Sequence, residues 1–112
     1  MGRYAQSRRR GVTRPVGGLP APPAPSLYLL GGIWIQSDPG CEEDPGGYLE
    51  LWSGTFEGGP DTLFTALPWE TTVVWGERGE VPAAWLWARE IGGGVIYEGS
   101  SPWSDPYDNT GA

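Results

Sequence analysis

The chain has 112 residues, enough for one domain and too few for two. Nineteen glycines and twelve prolines argue against a helical protein, whereas seven tryptophans and five tyrosines suit strands. The net charge of −7 hides a split: residues 1–25 hold five arginines and no acid, giving +5, and residues 26–112 hold fourteen acids against Arg78 and Arg89, giving −12. A division of that kind marks an interaction tail on a body with other partners.

Residues 1–18 show no hydrophobic periodicity and read as an extended basic arm, with Arg3, Tyr4, Arg8, Arg9, Arg10 and Arg14 available to grip a partner. Gly11, Pro15 and the glycines at 17 and 18 work against an amphipathic presequence helix there. No apolar run follows the arginines as a secretory signal requires, and none approaches the ~18 residues of a membrane span. Residues 19–25, Leu-Pro-Ala-Pro-Pro-Ala-Pro, favour polyproline II and are expected to act as a hinge. Fully stretched, the first twenty-five residues reach at most about 80 Å.

The body is expected over residues 26–112. Ser26–Leu30 and Ile33–Ser37 read as strands about the Gly31-Gly32 turn. Residues 38–47 form a polar loop with two Asp-Pro steps. Tyr48–Ser53 alternates, with Leu49 and Leu51 on one face and Tyr48, Glu50 and Trp52 on the other. Gly54–Pro60 is turn-rich. Strands are expected at Thr62–Leu67, Thr71–Trp75 and Ala83–Glu90, with two more at Val95–Glu98 and around Pro102–Ser104. Short strands at such spacing predict an all-β fold, a small antiparallel β-sandwich.

Trp34 and Trp52 are expected in its core. Trp85 and Trp87 share a strand face with Arg89, opposite Ala84, Leu86 and Ala88. The core side is the expectation for that pair. If the strand turns the other way, they join Trp69, on a turn, as an exposed contact.

Four stretches resemble a fibronectin type III module of the immunoglobulin-like class. Pro25-Ser26-Leu27 with Ile33-Trp34-Ile35 is similar to that family's first two strands, and Gly47-Tyr48-Leu49-Glu50-Leu51-Trp52-Ser53 to its third. Ala83-Ala84-Trp85-Leu86-Trp87-Ala88-Arg89 resembles its sixth strand, and Ser101-Pro102-Trp103-Ser104-Asp105 its last. A second register also fits, in which Leu67–Trp75 leads into the sixth strand. The order of basic arm, Pro/Ala hinge and module resembles small structural proteins of tailed-bacteriophage virions. That resemblance implies a protein held in multiple copies on a particle, in the capsid or the tail, with major capsid or tail proteins as partners.

The residues permit little bond-making chemistry. Without histidine or lysine, and with Cys41 alone, no Ser-His-Asp or Cys-His nucleophile and no Cys/His zinc site exists within one chain. Neither a P-loop nor a dinucleotide fingerprint occurs. Carboxylates crowd residues 38–44 and 105–108, without EF-hand spacing, and read as solvated loops. We therefore expect no enzyme, no cofactor and no bound metal. The arm suits an acidic protein surface, through guanidinium forks on carboxylates. Nucleic acid is the less favoured partner, because the −12 body repels it. Two other functions stay open: a glycan- or host-surface-binding module using exposed tryptophans, and an accessory protein tethered to nucleic acid.

Overall fold

Alternation of apolar with polar or aromatic residues marks several segments of the body, and the regular structure among the described residues is strand. The computed structural model describes residues 18–112. The arm residues Arg3, Tyr4, Arg8, Arg9, Arg10 and Arg14 lie outside the described residues. Among the described residues seven strands form in chain order: β1 (Tyr28–Leu30), β2 (Trp34–Ser37), β3 (Tyr48–Thr55), β4 (Gly59–Pro68), β5 (Val73–Glu77), β6 (Trp85–Ile91) and β7 (Tyr107–Asp108). They make two antiparallel sheets, one in the order β1-β2-β5 and one in the order β4-β3-β6-β7. The architecture is that of a small β-sandwich.

Leu49 and Leu51 of β3, and Leu86 and Ala88 of β6, meet Ile35 of β2 and Val73 and Trp75 of β5 between the sheets, with Val81 closing the cluster. Leu27, Leu29, Leu67, Trp69 and Tyr107 pack around it. The β1–β2 hairpin turns on Gly31 and Gly32, whose φ values of 62° and 75° need residues without a Cβ penalty.

The tryptophans are not where their size suggests. Leu29 and Ile35 take the inward places of the first hairpin, so Trp34 faces outward and is 39% exposed. Trp52 sits on the outer face of β3, because Leu49 and Leu51 face in. The core tryptophan is Trp75, 7% exposed, whose Nε1–H donates to Ser37 Oγ at 2.8 Å. Trp85 and Trp87 likewise stand outside the inter-sheet core, since Leu86 and Ala88 fill the inward positions of β6.

Other expectations shift. Residues 67–75 do not lead into the sixth strand: β5 belongs to the three-stranded sheet, and β6 begins at Trp85. Val95–Glu98 is not a strand, because its backbone is committed elsewhere. The Asp44 carboxylate accepts from Ile96 N and Tyr97 N at 2.9 Å each, and from Gly93 N at 2.8 Å. Gly93 must be glycine for the loops to close, since a Cβ there would collide with the Pro45 carbonyl.

The Ser101–Ser104 segment runs beside β6 without strand geometry. Ser101 N and Ser104 N donate to the Glu90 and Ala88 carbonyls, both at 2.8 Å. Their hydroxyls accept from Glu90 N and Ala88 N, both at 2.9 Å. Side-chain oxygens thus replace the carbonyls a regular strand would offer. The expected hinge is also held against the body. Pro22 and Pro25 are buried, the Pro20 carbonyl accepts from Glu98 N at 3.0 Å, and Ser26 N donates to Asp38 O at 3.0 Å.

This distribution separates two superficially similar tryptophans. Trp75→Ala should lower stability by about 3–5 kcal/mol, through a core void and an orphaned Ser37 hydroxyl. Trp34→Ala should cost less than about 1 kcal/mol. Urea unfolding of both variants checks the contrast, and equal losses would contradict the placement of the core.

Candidate functional site

The face of the four-stranded sheet turned away from the core carries an aromatic array. Trp52 of β3 pairs across the sheet with Trp87 of β6, and Glu50 with Arg89. The Arg89 guanidinium carbon lies 5.2 Å from the centre of the Trp52 ring and 4.7 Å from that of Trp103. Trp52 and Trp103 themselves meet edge to face, with centroids 5.7 Å apart at 77°. Arg89 Nε also donates to Glu50 Oε1 at 2.7 Å, and that oxygen accepts from Trp52 Nε1 at 2.9 Å. The cation is therefore fixed by one carboxylate and two rings.

This packing decides the expected contacts. Trp87, only 7% exposed, offers little open surface, and it lies on an inner strand of its sheet. Trp85 is half-buried, with Phe56 4.7 Å away at 47°. Trp69 is half-buried too and packs on the core, and its buried Nε1–H has no acceptor among the described residues. The exposed large apolar side chains are instead Phe56, Leu63, Phe64, Val74 and Val95, with Leu30, Ile33 and Trp34 around the first hairpin.

Beside the array, an open groove of about 710 Å³ runs between the outer face of β3, the edge strand β4 and the Glu43–Gly47 loop. Leu63, Leu67 and Pro68 form its apolar wall, and Tyr48 and Trp69 add rings. Glu43 and Glu50 supply carboxylates. Sequence reading missed it, because its residues come from a loop, two strands and a turn that meet only in the fold.

The acidic loop is less solvated than expected. Asp44 is buried. Burial alone pushes its carboxyl up, but the backbone N–H groups of Tyr97, Ile96, Gly93 and Val95 together hold it below the ordinary range. Asp38 accepts from Tyr28 Oη at 2.9 Å and Thr72 Oγ1 at 3.0 Å. Glu42 accepts from Tyr97 Oη at 2.9 Å, a bond that first, with burial second, pushes that phenol up to about 12. Near the C-terminus, Thr110 donates from Oγ1 and N to Asp108 and lowers its carboxyl. Among the described residues no group of three or more acidic, Cys or His side chains is placed to hold a metal ion.

Beneath this loop, Glu90 is 0% exposed and faces inward from β6. Cys41 Sγ–H donates to its Oε2 at 3.3 Å, and its Oε1 has no partner among the described residues. Burial raises the Glu90 carboxyl, the thiol contact lowers it, and the Asp44 charge raises it again, with a net rise. Burial, then the Glu90 bond, pushes the Cys41 thiol up to about 11. Such a thiol is held protonated at neutral pH. Comparison with family models, with curated proteins and with solved structures finds no match for this chain.

Asp44 and Glu90 act on stability with opposite signs. Folded Asp44 binds its proton more weakly than an ordinary carboxyl, so its contribution is present above pH 3.8 and lost as pH falls below it. Folded Glu90 binds its proton more tightly, so stability falls as pH rises from 4.5 through its raised value. Urea midpoints from about pH 3 to 8 should therefore pass through a maximum near the foot of the Glu90 titration. Glu90→Gln should flatten the fall on the alkaline side and keep the acid limb, whereas Asp44→Asn should remove much of the acid limb and lower all midpoints. An unchanged profile in Glu90→Gln would contradict the assignment.

Proposed function

We propose that this chain is a non-enzymatic structural protein of a virion, decorating the capsid or belonging to the tail, with a fibronectin III-like sandwich packed on the particle. Its basic arm is the anchor. The observation that carries this reading is the charge division, +5 without an acid in residues 1–25 and −12 in the rest. Arginine forks on a tether suit an acidic protein surface, while like-charged bodies keep free copies apart.

The fold supports the module type. β4 pairs with β3, the third strand, rather than with β5, so the sheets read A-B-E and C′-C-F-G. In an immunoglobulin constant domain the fourth strand sits on the other sheet. The fixed path of residues 18–25 supports the anchor, because the arm then leaves the body from one defined point beside Glu98. A glycan-binding role for Trp69, Trp85 and Trp87 has weaker support, since Trp87 is buried and Trp69 and Trp85 are half-buried.

Deleting residues 1–18 should abolish incorporation into particles and leave a folded, monomeric body. Quantifying the protein in purified particles, with circular dichroism and sedimentation of the free variant, tests this. Full loading of the truncated chain would overturn the anchor.

A further inference from the structure

Taking the arm as an anchor, as proposed above, we infer that the groove beside β4 is the docking site of the chain's own arm. The free protein is then latched, and a more acidic assembly surface draws the arm out. Charge supports this occupant: the arm carries five arginines and no acid, and the groove offers the exposed Glu43 within a body of charge −12, Glu50 being already paired with Arg89. Glu43 stands exposed on the rim. The walls formed by Leu63, Leu67, Pro68 and Tyr48 accept the aliphatic stems of arginines, with a guanidinium head at Glu43.

Connectivity supports it as well. The Pro20–Glu98 hydrogen bond roots the arm at the loop that also holds Glu42 through Tyr97, and Glu42 adjoins Glu43. Gly18, at φ 56°, turns the chain where it leaves the body. Two strand spacings, about 10 Å, separate β6 from β4. Arg14 lies within about 14 Å of Gly18 when extended, and Arg8–Arg10 within about 35 Å. A tether this short gives an effective concentration in the millimolar range.

Two other occupants fit less well. Strand addition along β4 is opposed by its bulges, between Leu51/Trp52 and Ser53/Gly54 of the β3 pairing, and by Pro60 and Pro68. A second body is opposed by the repulsion of two −12 charges.

Amide spectra and hydrogen exchange of the full chain test the latch. At about 20 mM salt, signals of Gly46, Gly47, Tyr48, Leu63 and Ala66 should differ between the wild type and the Arg8→Ala/Arg9→Ala/Arg10→Ala variant, and converge at about 0.5 M salt. Exchange at Gly46–Tyr48 should be about fivefold slower in the wild type at low salt, and Glu43→Gln should remove about half of that difference. Unchanged signals from Ile35, Leu51 and Ala88 report an intact fold. Identical groove signals at low salt overturn the latch, as does protection that grows with protein concentration, which would mark a second copy. Particle loading is read separately: a chain that loads while its groove is indifferent to the arginines sinks the latch alone. One whose arm occupies the groove yet is dispensable for loading sinks the anchor alone.

Discussion

The arm-bearing end of the molecule hangs from one carboxylate. Asp44 accepts three backbone N–H groups from the Gly93–Tyr97 stretch, and its own carbonyl accepts from Gly47 N at 2.8 Å. Two Gly- and Pro-rich loops, with little side-chain volume of their own to pack, are thereby fixed against each other. That closure sets where Tyr97 meets Glu42, where Glu98 holds Pro20, and hence where the arm begins. It also covers Glu90, which explains how a carboxyl comes to be wholly buried with only a thiol for company. A buried charge with one unpartnered oxygen is costly, and its raised proton affinity relieves that cost by favouring the neutral form.

The aromatic face obeys a different constraint. Inter-sheet space in so small a sandwich is filled by leucines, valines, Ile35 and one tryptophan, leaving no inward room for four more indoles. They pack on the outside and are useful there. Arg89 sits between Trp52 and Trp103 with Glu50 at its nitrogen, an arrangement contributing about 0.5–2 kcal/mol per cation–π contact according to how dry it is. Trp103 reaches that position because Ser101 and Ser104 bind their segment to β6 through hydroxyl and amide together. Pro102 between them has no N–H for a ladder, so the serine pair supplies the pairing a regular strand would lose there.

Much of the sandwich was legible in the sequence, and the failures have causes. Tyr48–Ser53 and Ala83–Glu90 alternate so strictly that both strands were readable. Which face turned inward in the second was not, because Trp, Leu and Ala are all admissible in a core. The deciding factor was volume, with Leu86 and Ala88 fitting against Leu51, and pattern alone carries no volume. Val95–Glu98 looked like a strand by propensity, yet a carboxylate about fifty positions away holds its N–H groups. The Pro/Ala run looked like a free spacer because polyproline II needs no partner, and nothing local announces that Glu98 and Asp38 would bind its ends. The groove had no contiguous signal at all. Trp69 was singled out as an exposed contact because it sits between strands, yet it is half-buried and packs on the core, which nothing local announces.

Charge is what makes the two ends of this chain one system. A +5 segment and a −12 body attract across any unscreened gap, so the arm is never indifferent to the body that carries it. An anchor that bound its own body too tightly would never reach a particle, and one that did not bind at all would stick to any acidic protein it met. A shallow groove holding two carboxylates, one already engaged by Arg89, lies between those limits. Exposed ion pairs each contribute little, so under the proposed latch a larger acidic surface with several free carboxylates would outcompete the groove without any change in the fold. Under the proposed anchor and latch, the weakness of the internal site would let the same five arginines serve both states.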